Sequence, residues 1–171
     1  MKIRYFFHEI SSPENEIRPA VSYILRSAHL LHASDSVCHA YSKYLFSSIK
    51  TDFFENIRGD LDKVLKAINY IENGEQDEYI FYGQGFIHKI GRKCVLFEHA
   101  IFGICPHWPL WSCPLSHYKI AIQGWMKFLK IPESLHTELI VELPESDMAQ
   151  VTLFPPKLPE NKNAFSESTI D

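Results

Sequence analysis

The clearest hydrophobic pattern in the chain predicts a helix that begins at Asp60. Apolar side chains recur there at intervals of three and four residues, which places them on one helical face. They are Leu61, Val64, Leu65, Ile68 and Ile71. Asp60 is a residue type that caps helix N-termini, and Asn73 and Gly74 favour a left-handed C-cap. The pattern therefore predicts an amphipathic helix between these two ends.

Runs rich in β-branched and aromatic residues predict strands before and after this helix. The predicted strands are Lys2–Phe7, Tyr79–Tyr82, Phe86–Ile90, Lys93–His99, Leu139–Leu143 and Gln150–Phe154. The segment Gly83-Gln84-Gly85 and the pair Gly91-Arg92 predict tight connections between the middle three. Their hydrophobic alternation is incomplete, which predicts a sheet that is covered in part on both faces.

Helical spacing predicts three further helices. One runs through Val21–Leu31, with Asn15 as its cap and Pro19 in its first turn. The next covers residues 35–50, where apolar side chains again recur every three or four positions. The last follows Ser116 as its cap and ends before Pro132.

These elements predict a single α+β domain over residues 1–154, with a small, mainly antiparallel sheet packed against several helices. A length of 171 residues and a hydrophobic fraction of 46% suit one domain with its own core. The prolines and tryptophans of residues 102–115 predict a packed, aromatic-rich loop without regular structure. The polar composition of residues 155–171 predicts a flexible tail.

The chain carries the features of a cytoplasmic protein. No apolar run approaches the roughly 18 residues of a membrane helix. The first residues, MKIRYFFHEI, contain no apolar core of a signal peptide. The 4 cysteines are widely spread, which favours reduced thiols over a disulfide framework. We therefore predict a cytoplasmic location and no contact with a membrane.

The net charge of -4 is distributed unevenly along the chain. Residues 52–78 hold eight acids and three bases, and residues 133–147 hold five acids and no lysine or arginine. Residues 79–132 instead hold six bases and one acid. The acidic balance argues against nucleic acid as a direct partner. The two acidic blocks suit either a basic protein surface or a solvated exterior.

The residue types that carry chemistry form no recognisable constellation. The side chains able to bind zinc are Cys94, His99, Cys105, His107, Cys113 and His117. They lack the Cys-x2-Cys spacing that places two thiolates on one turn. A cysteine nucleophile beside His107 or His117 would need a geometry that sequence proximity does not provide. We therefore predict no enzymatic activity, no catalytic residue, no metal and no cofactor.

One family resembles part of this chain. The parts that carry the resemblance are VLKAINYIENG, EYIFYGQGFIHKIGRKCVLFEH and YKIAIQGWMKFL, in that order. A helix ending in Asn-Gly, a strand, a Gly-x-Gly connection, an aromatic hairpin and a final helix are similar to bacterial immunity proteins, including those of contact-dependent growth inhibition systems. The resemblance covers about 70 of the 171 residues.

The resemblance implies a cytoplasmic inhibitor that binds the toxic C-terminal domain of a delivered effector, often a nuclease. Nucleases carry basic substrate grooves, and an acidic inhibitor surface would speed association through charge attraction. On this hypothesis the contact residues belong to the first acidic block, with Asp60 as a further candidate that also suits a helix cap. The predicted toxin-binding residues are Asp52, Glu55, Asp62, Glu72, Glu75, Asp77 and Glu78.

Two other functions stay open. A small metal-dependent hydrolase would use the Cys/His/Trp loop of residues 102–117 as the wall of its pocket. A binder of single-stranded nucleic acid would use the basic excess of residues 79–132 beside aromatic side chains. The residues of that strip are Lys89, Arg92, Lys93, Lys119, Phe86 and Tyr118.

Overall fold

The computed structural model describes residues 1–12, 21–56 and 58–144. The predicted strand at Gln150–Phe154 and the predicted tail over residues 155–171 lie outside the described residues. So do Asn15 and Pro19, which were the expected start of the second element.

Seven strands and three helices make up the described part of the chain. The strands are β1 (Lys2–Ser12), β2 (Val21–Leu31), β3 (Glu78–Tyr82), β4 (Phe86–Gly91), β5 (Cys94–His99), β6 (Trp111–Pro114) and β7 (Glu138–Glu142). Helix α1 consists of three consecutive segments, Asp35–Tyr41, Ser42–Phe46 and Ser47–Asp52. Helices α2 and α3 span Asp60–Glu72 and Leu115–Phe128.

The strands form two antiparallel sheets. The first sheet has the order β2-β1-β7, and the second has the order β3-β4-β5-β6. The predicted α+β class and single domain are confirmed, with the strands divided between two small sheets. Helix α3 contacts both sheets, so one core joins them.

The helix predicted through Val21–Leu31 is wrong, because this segment is strand β2. It pairs with β1 along its whole length, with Ile3 opposite Leu30 and Tyr5 opposite Ala28. The apolar residues of this run fit a helical spacing, and only Ala28 and Leu30 follow a strand alternation that faces the core. Pairing with β1 decides between them, since Ala28 and Leu30 then face the core together with Ile3 and Tyr5.

Helix α1 confirms the predicted helix over residues 35–50. Its middle segment, Ser42–Phe46, is a π-helix with a wider turn. Three consecutive residues of this segment, Tyr44, Leu45 and Phe46, are buried. The helix ends at Asp52, whose position matters for the site described below.

Helix α2 confirms the clearest sequence pattern, but its N-terminal cap differs from the prediction. Asp60 is the first helical residue, and Gly59 precedes it with a φ of 65°. The capping side chain is Asn56, whose Oδ1 accepts the backbone N–H of Leu61 at 2.9 Å. Gly74, as expected from the sequence, adopts a positive φ of 77° beyond the helix.

The region before α3 also departs from the prediction. Trp111–Pro114 forms strand β6, although the sequence predicted a loop without regular structure there. Four of its residues pair with β5, where a neighbouring strand satisfies their backbone groups. Helix α3 then begins at Leu115, directly after Pro114, and Ser116 lies inside its first turn.

Two aromatic residues of α3, Trp125 and Tyr118, contact both sheets and the residue that follows α1. Trp125 donates its Nε1–H to the carbonyl of Phe53 at 2.9 Å. Tyr5 of the first sheet packs on Trp125, with ring centroids 6.1 Å apart. Tyr118 packs on Phe97 of the second sheet, with ring centroids 5.8 Å apart. Each of these five side chains is almost completely buried.

Candidate functional site

A cleft of about 540 Å³ opens between the end of α1, the segment leading to α2, and the turn between β3 and β4. Its lining includes two basic residues, Lys50 and Arg58, and three acidic ones, Asp52, Glu55 and Asp60. Aromatic side chains from both walls complete it. The cleft therefore offers charges of both signs next to apolar surface.

Large apolar side chains on the rim of this cleft are exposed to solvent. Phe54 on one wall is 49% exposed, and Tyr82 on the other is 73% exposed. The loop after β5 borders the same turn, because the N–H of Ala100 donates to the carbonyl of Gly85 at 2.9 Å. Ile101 and Phe102 of that loop are 77% and 64% exposed. Exposed apolar side chains gathered on one part of a surface are typical of a binding site.

The carboxylate of Asp52 connects α1 to the turn between β3 and β4. Its side chain is 0% exposed although the residue borders the cleft. One carboxylate oxygen accepts the N–H of Gly85 at 2.7 Å. The other accepts a hydrogen bond from Nε2 of His88, with 3.0 Å between the two atoms. Two strong hydrogen bonds compensate the buried charge.

A further hydrogen bond of His88 links Asp52 to α3. A carboxylate can only accept hydrogen bonds, so Nε2 of His88 carries the ring proton of the neutral histidine. Nδ1 then accepts the hydroxyl of Tyr118, with 2.6 Å between the two atoms. Burial lowers the pKa of His88, and the hydrogen bond and charge of Asp52 partly oppose this shift. Burial also raises the pKa of Tyr118 well above its usual value, which keeps the hydroxyl protonated.

The glycines of the turn allow α1 to approach this closely. A Cβ atom at Gly83 would clash with the carboxyl group of Asp52. A Cβ atom at Gly85 would lie 2.8 Å from Oγ1 of Thr51, closer than real contacts of this kind. The segment Gly83-Gln84-Gly85 is thus a strand connection, as the sequence indicated, and its glycines make room for the end of α1.

The predicted toxin-binding residues fall into two groups at opposite ends of α2. Glu55 lines the cleft near the start of this helix. Asp62, also near that end, accepts a hydrogen bond from Nδ2 of Asn56 at 3.2 Å. Asp52 lies nearby, but its buried side chain is not available to a partner in this conformation.

The second group begins with Glu72, the last residue of α2, and continues beyond this end of the helix. A helix of 13 residues separates the two groups by about 18 Å. Glu72 pairs with Lys119, and Asp77 pairs with Arg92 at 2.8 Å. Glu75 and Glu78 complete this group as exposed residues. The acidic block therefore forms no single patch in the fold.

The second acidic block, as far as the structure describes it, is compensated by ion pairs within the chain; Glu145 and Asp147 lie outside the described residues. Three of its glutamates pair with basic residues of the first sheet. The pairs are Lys2–Glu142 at 3.1 Å, Arg4–Glu138 at 2.6 Å and Arg26–Glu133 at 3.0 Å. These ion pairs join β7 and the segment before it to β1 and β2.

The Cys and His side chains weighed above as zinc ligands do not form a metal-binding group in the described residues. His117 hydrogen-bonds Tyr41 through Nδ1 and the carbonyl of Pro144 through Nε2. His99 accepts two backbone N–H groups of its own loop. Cys113 is buried, which raises the pKa of its thiol. Within residues 1–12, 21–56 and 58–144, no three or more potential ligands form a group that could hold a metal ion.

In the fold, most residues of the basic strip considered for nucleic-acid binding are buried or ion-paired. Phe86 and Tyr118 are buried and cannot stack on bases. Lys89 pairs with Glu98 at 2.8 Å, in addition to the pairs that Arg92 and Lys119 form. The strip therefore lacks the exposed aromatic platforms that binding of single strands uses.

Comparison of the chain with known protein families, with curated protein sequences and with solved structures found no significant match. In the described part of the chain, none of the helices has the length and apolar character needed to span a membrane.

Sequence reasoning missed the roles of His88 and Tyr118. The only available signal was the inward position of His88 in strand β4, where alternate residues are buried. A histidine at such a position needs polar partners. The sequence alone offered no way to identify them.

Proposed function

We propose that this protein is a cytoplasmic immunity protein that binds and neutralises the toxic C-terminal domain of a cognate effector. The proposal rests on the family resemblance of residues 60–129 and on one surface feature. That feature is the cleft whose rim exposes Phe54 and Tyr82.

Exposed aromatic side chains support a protein partner. Binding energy at protein interfaces concentrates in a few residues, among which tyrosine and tryptophan are enriched. Tyr82 is the last residue of strand β3, so its side chain offers a large contact area and loses little conformational freedom on binding. Ile101 and Phe102, in the loop that is hydrogen-bonded to the same turn, are further exposed apolar side chains.

The acidic residues of the cleft would suit basic side chains of a partner, and Lys50 and Arg58 of the same lining would suit acidic ones. Glu55 and Asp60 line the cleft beside the aromatic residues. Acidic groups at the rim of an interface mainly increase the rate of association and the specificity for a basic partner. Of the predicted contact residues, Glu55 and Asp62 lie at this end of α2, and they remain candidates for contact.

The test is a growth assay combined with co-purification. The toxic C-terminal domain of the large effector encoded next to this protein is expressed with a tagged copy of the chain. A stoichiometric complex that restores growth would support the proposal. If the domain is toxic and neither a complex nor rescue is observed, the proposal is wrong.

A matched pair of variants locates the contact surface. Tyr82→Ala removes the exposed aromatic ring at the cleft, and we expect a loss of about 2 kcal/mol in binding free energy, or roughly 30-fold in affinity. Tyr23→Ala removes a ring that is also exposed but belongs to the first sheet. Equal affinities of the two variants would exclude the cleft as the contact surface.

A further inference from the structure

We infer that Asp52, His88 and Tyr118 form a buried latch that holds the turn between β3 and β4 in place and thereby sets the shape of the cleft. In this inference His88 and Tyr118 are positioning residues that never touch a partner. The expected effect of the latch on affinity rests on the proposed function, whereas the effect of the latch on the turn can be measured on the isolated protein.

The latch is a continuous chain of hydrogen bonds between three distant elements. Tyr118 of α3 bonds His88 of β4, and His88 bonds Asp52 at the end of α1. Asp52 in turn accepts the N–H of Gly85 in the turn. The first three side chains are completely buried, so water cannot replace a lost partner without opening the structure.

Gly85 is the residue through which the latch acts on the cleft. Its N–H is held by Asp52 at 2.7 Å, and its carbonyl is held by Ala100 at 2.9 Å. Gly83 in the same turn donates its N–H to the carbonyl of Phe86 at 2.9 Å. The bond from Asp52 is therefore the one that ties this turn to the opposite wall of the cleft, which α1 provides.

The molecule contains a matched control for this latch. Tyr41 bonds Nδ1 of His117 with 2.7 Å between the two atoms, and both side chains are buried. This second tyrosine–histidine pair resembles the first in chemistry and burial. Tyr41 lies eleven residues before Asp52 on α1, or about 16 Å along the helix axis, and it does not line the cleft.

The first experiment compares Tyr118→Phe with Tyr41→Phe by amide hydrogen exchange, followed residue by residue by NMR. Both variants lose one buried hydroxyl, and we expect similar decreases in their unfolding midpoints. Exchange of the Gly85 amide should accelerate about tenfold or more relative to the amides of β4 in Tyr118→Phe only. Equal exchange of the Gly85 amide in the two variants would overturn the inference.

A second pair of variants keeps the test decisive if Tyr118→Phe is poorly folded. Asp52→Ala removes the acceptor for Gly85, whereas Asp52→Asn retains a carbonyl oxygen for Gly85, and its amide group can donate to Nε2 of His88 once the ring proton moves to Nδ1, which then donates to the hydroxyl of Tyr118. We expect rapid exchange at Gly85 in the alanine variant and near wild-type exchange in the asparagine variant. Slow exchange at Gly85 in Asp52→Ala would contradict a latch.

The binding measurement separates this inference from the proposed function. We expect Tyr118→Phe to bind the toxic domain roughly tenfold more weakly than Tyr41→Phe, through faster dissociation. If the wild-type chain binds and the two variants bind equally, the latch does not shape the contact surface. If the wild-type chain does not bind while Gly85 responds as expected, the proposed function fails and the latch stands.

Discussion

Asp52 and His88 form a hydrogen-bonded pair that is completely shielded from solvent, although 36 positions separate them in the chain. The pair joins the end of α1 to the middle of the second sheet. It also stands directly behind the cleft that exposes Phe54 and Tyr82. A buried, hydrogen-bonded carboxylate thus lies behind the exposed aromatic side chains of the cleft.

Lowering the pH should lower the free energy of unfolding, because His88 is buried. Burial lowers the pKa of this histidine below its ordinary value of 6.5, so the unfolded chain takes up a proton at a higher pH than the folded one. Stability is then complete above pH 6.5 and falls as the pH drops below it, by at most about 1.4 kcal/mol per pH unit. Urea unfolding between pH 7 and pH 5 measures this loss.

The variant His88→Gln is the control for the pH experiment. The groups that face His88 are Asp52 from α1 and Tyr118 from α3, together with the rings of Phe53 and Phe81. Removing the imidazole should flatten the dependence of stability on pH over this range. Parallel curves for the variant and the wild type would show that another group causes the loss.

Gly83→Ala should destabilise the protein by about 1–3 kcal/mol, because the added methyl group would clash with the carboxyl group of Asp52. Gly91→Ala is the matched control in the same sheet, where the new Cβ atom would lie 3.6 Å from the carbonyl of Cys94, an ordinary contact. Urea unfolding of both variants measures the difference. Similar stabilities would mean that the turn can move away from α1 at little cost.

Asn56→Ala should cost about 1–2 kcal/mol, because it removes the side chain that caps α2 and places alanine at a φ of 49°. Asn69→Ala, at an exposed position inside the same helix, should leave stability unchanged or raise it by a few tenths of a kcal/mol. Thermal unfolding followed by circular dichroism compares the two. A smaller loss for Asn56→Ala than for Asn69→Ala would contradict this capping role.

Glu55→Lys should weaken binding of the proposed toxin partner roughly fivefold or more at low salt, because Glu55 lies in the cleft. Glu78→Lys changes the net charge equally but lies beyond the opposite end of α2. Titration calorimetry of both variants at two salt concentrations separates local from overall charge effects. The difference should shrink in higher salt, since screening weakens exposed charges. A larger effect at Glu78 would move the contact surface to the other end of the helix.

Local sequence patterns were sufficient to predict elements whose hydrogen-bond partners lie close in the chain. Helix α2 followed from its apolar spacing and its end residues, and the hairpins of β3, β4 and β5 followed from β-branched runs separated by glycines. Strand β2 was misassigned, because its apolar spacing fits a helix and only pairing with β1 makes it a strand. Strand β6 was missed for the same reason, since its pairing with β5 is not visible in its composition.

The sequence by itself determined the α+β class, the main helices and the turn glycines, because periodicity and turn chemistry act over a few neighbouring residues. Only the tertiary structure decided that Asp52 is buried rather than exposed, and that His88 and Tyr118 support it from two other elements. It also separated the acidic block into two groups, because α2 lies between them. Contacts across 30 or more positions depend on which segments pack together, and local propensity does not specify that choice.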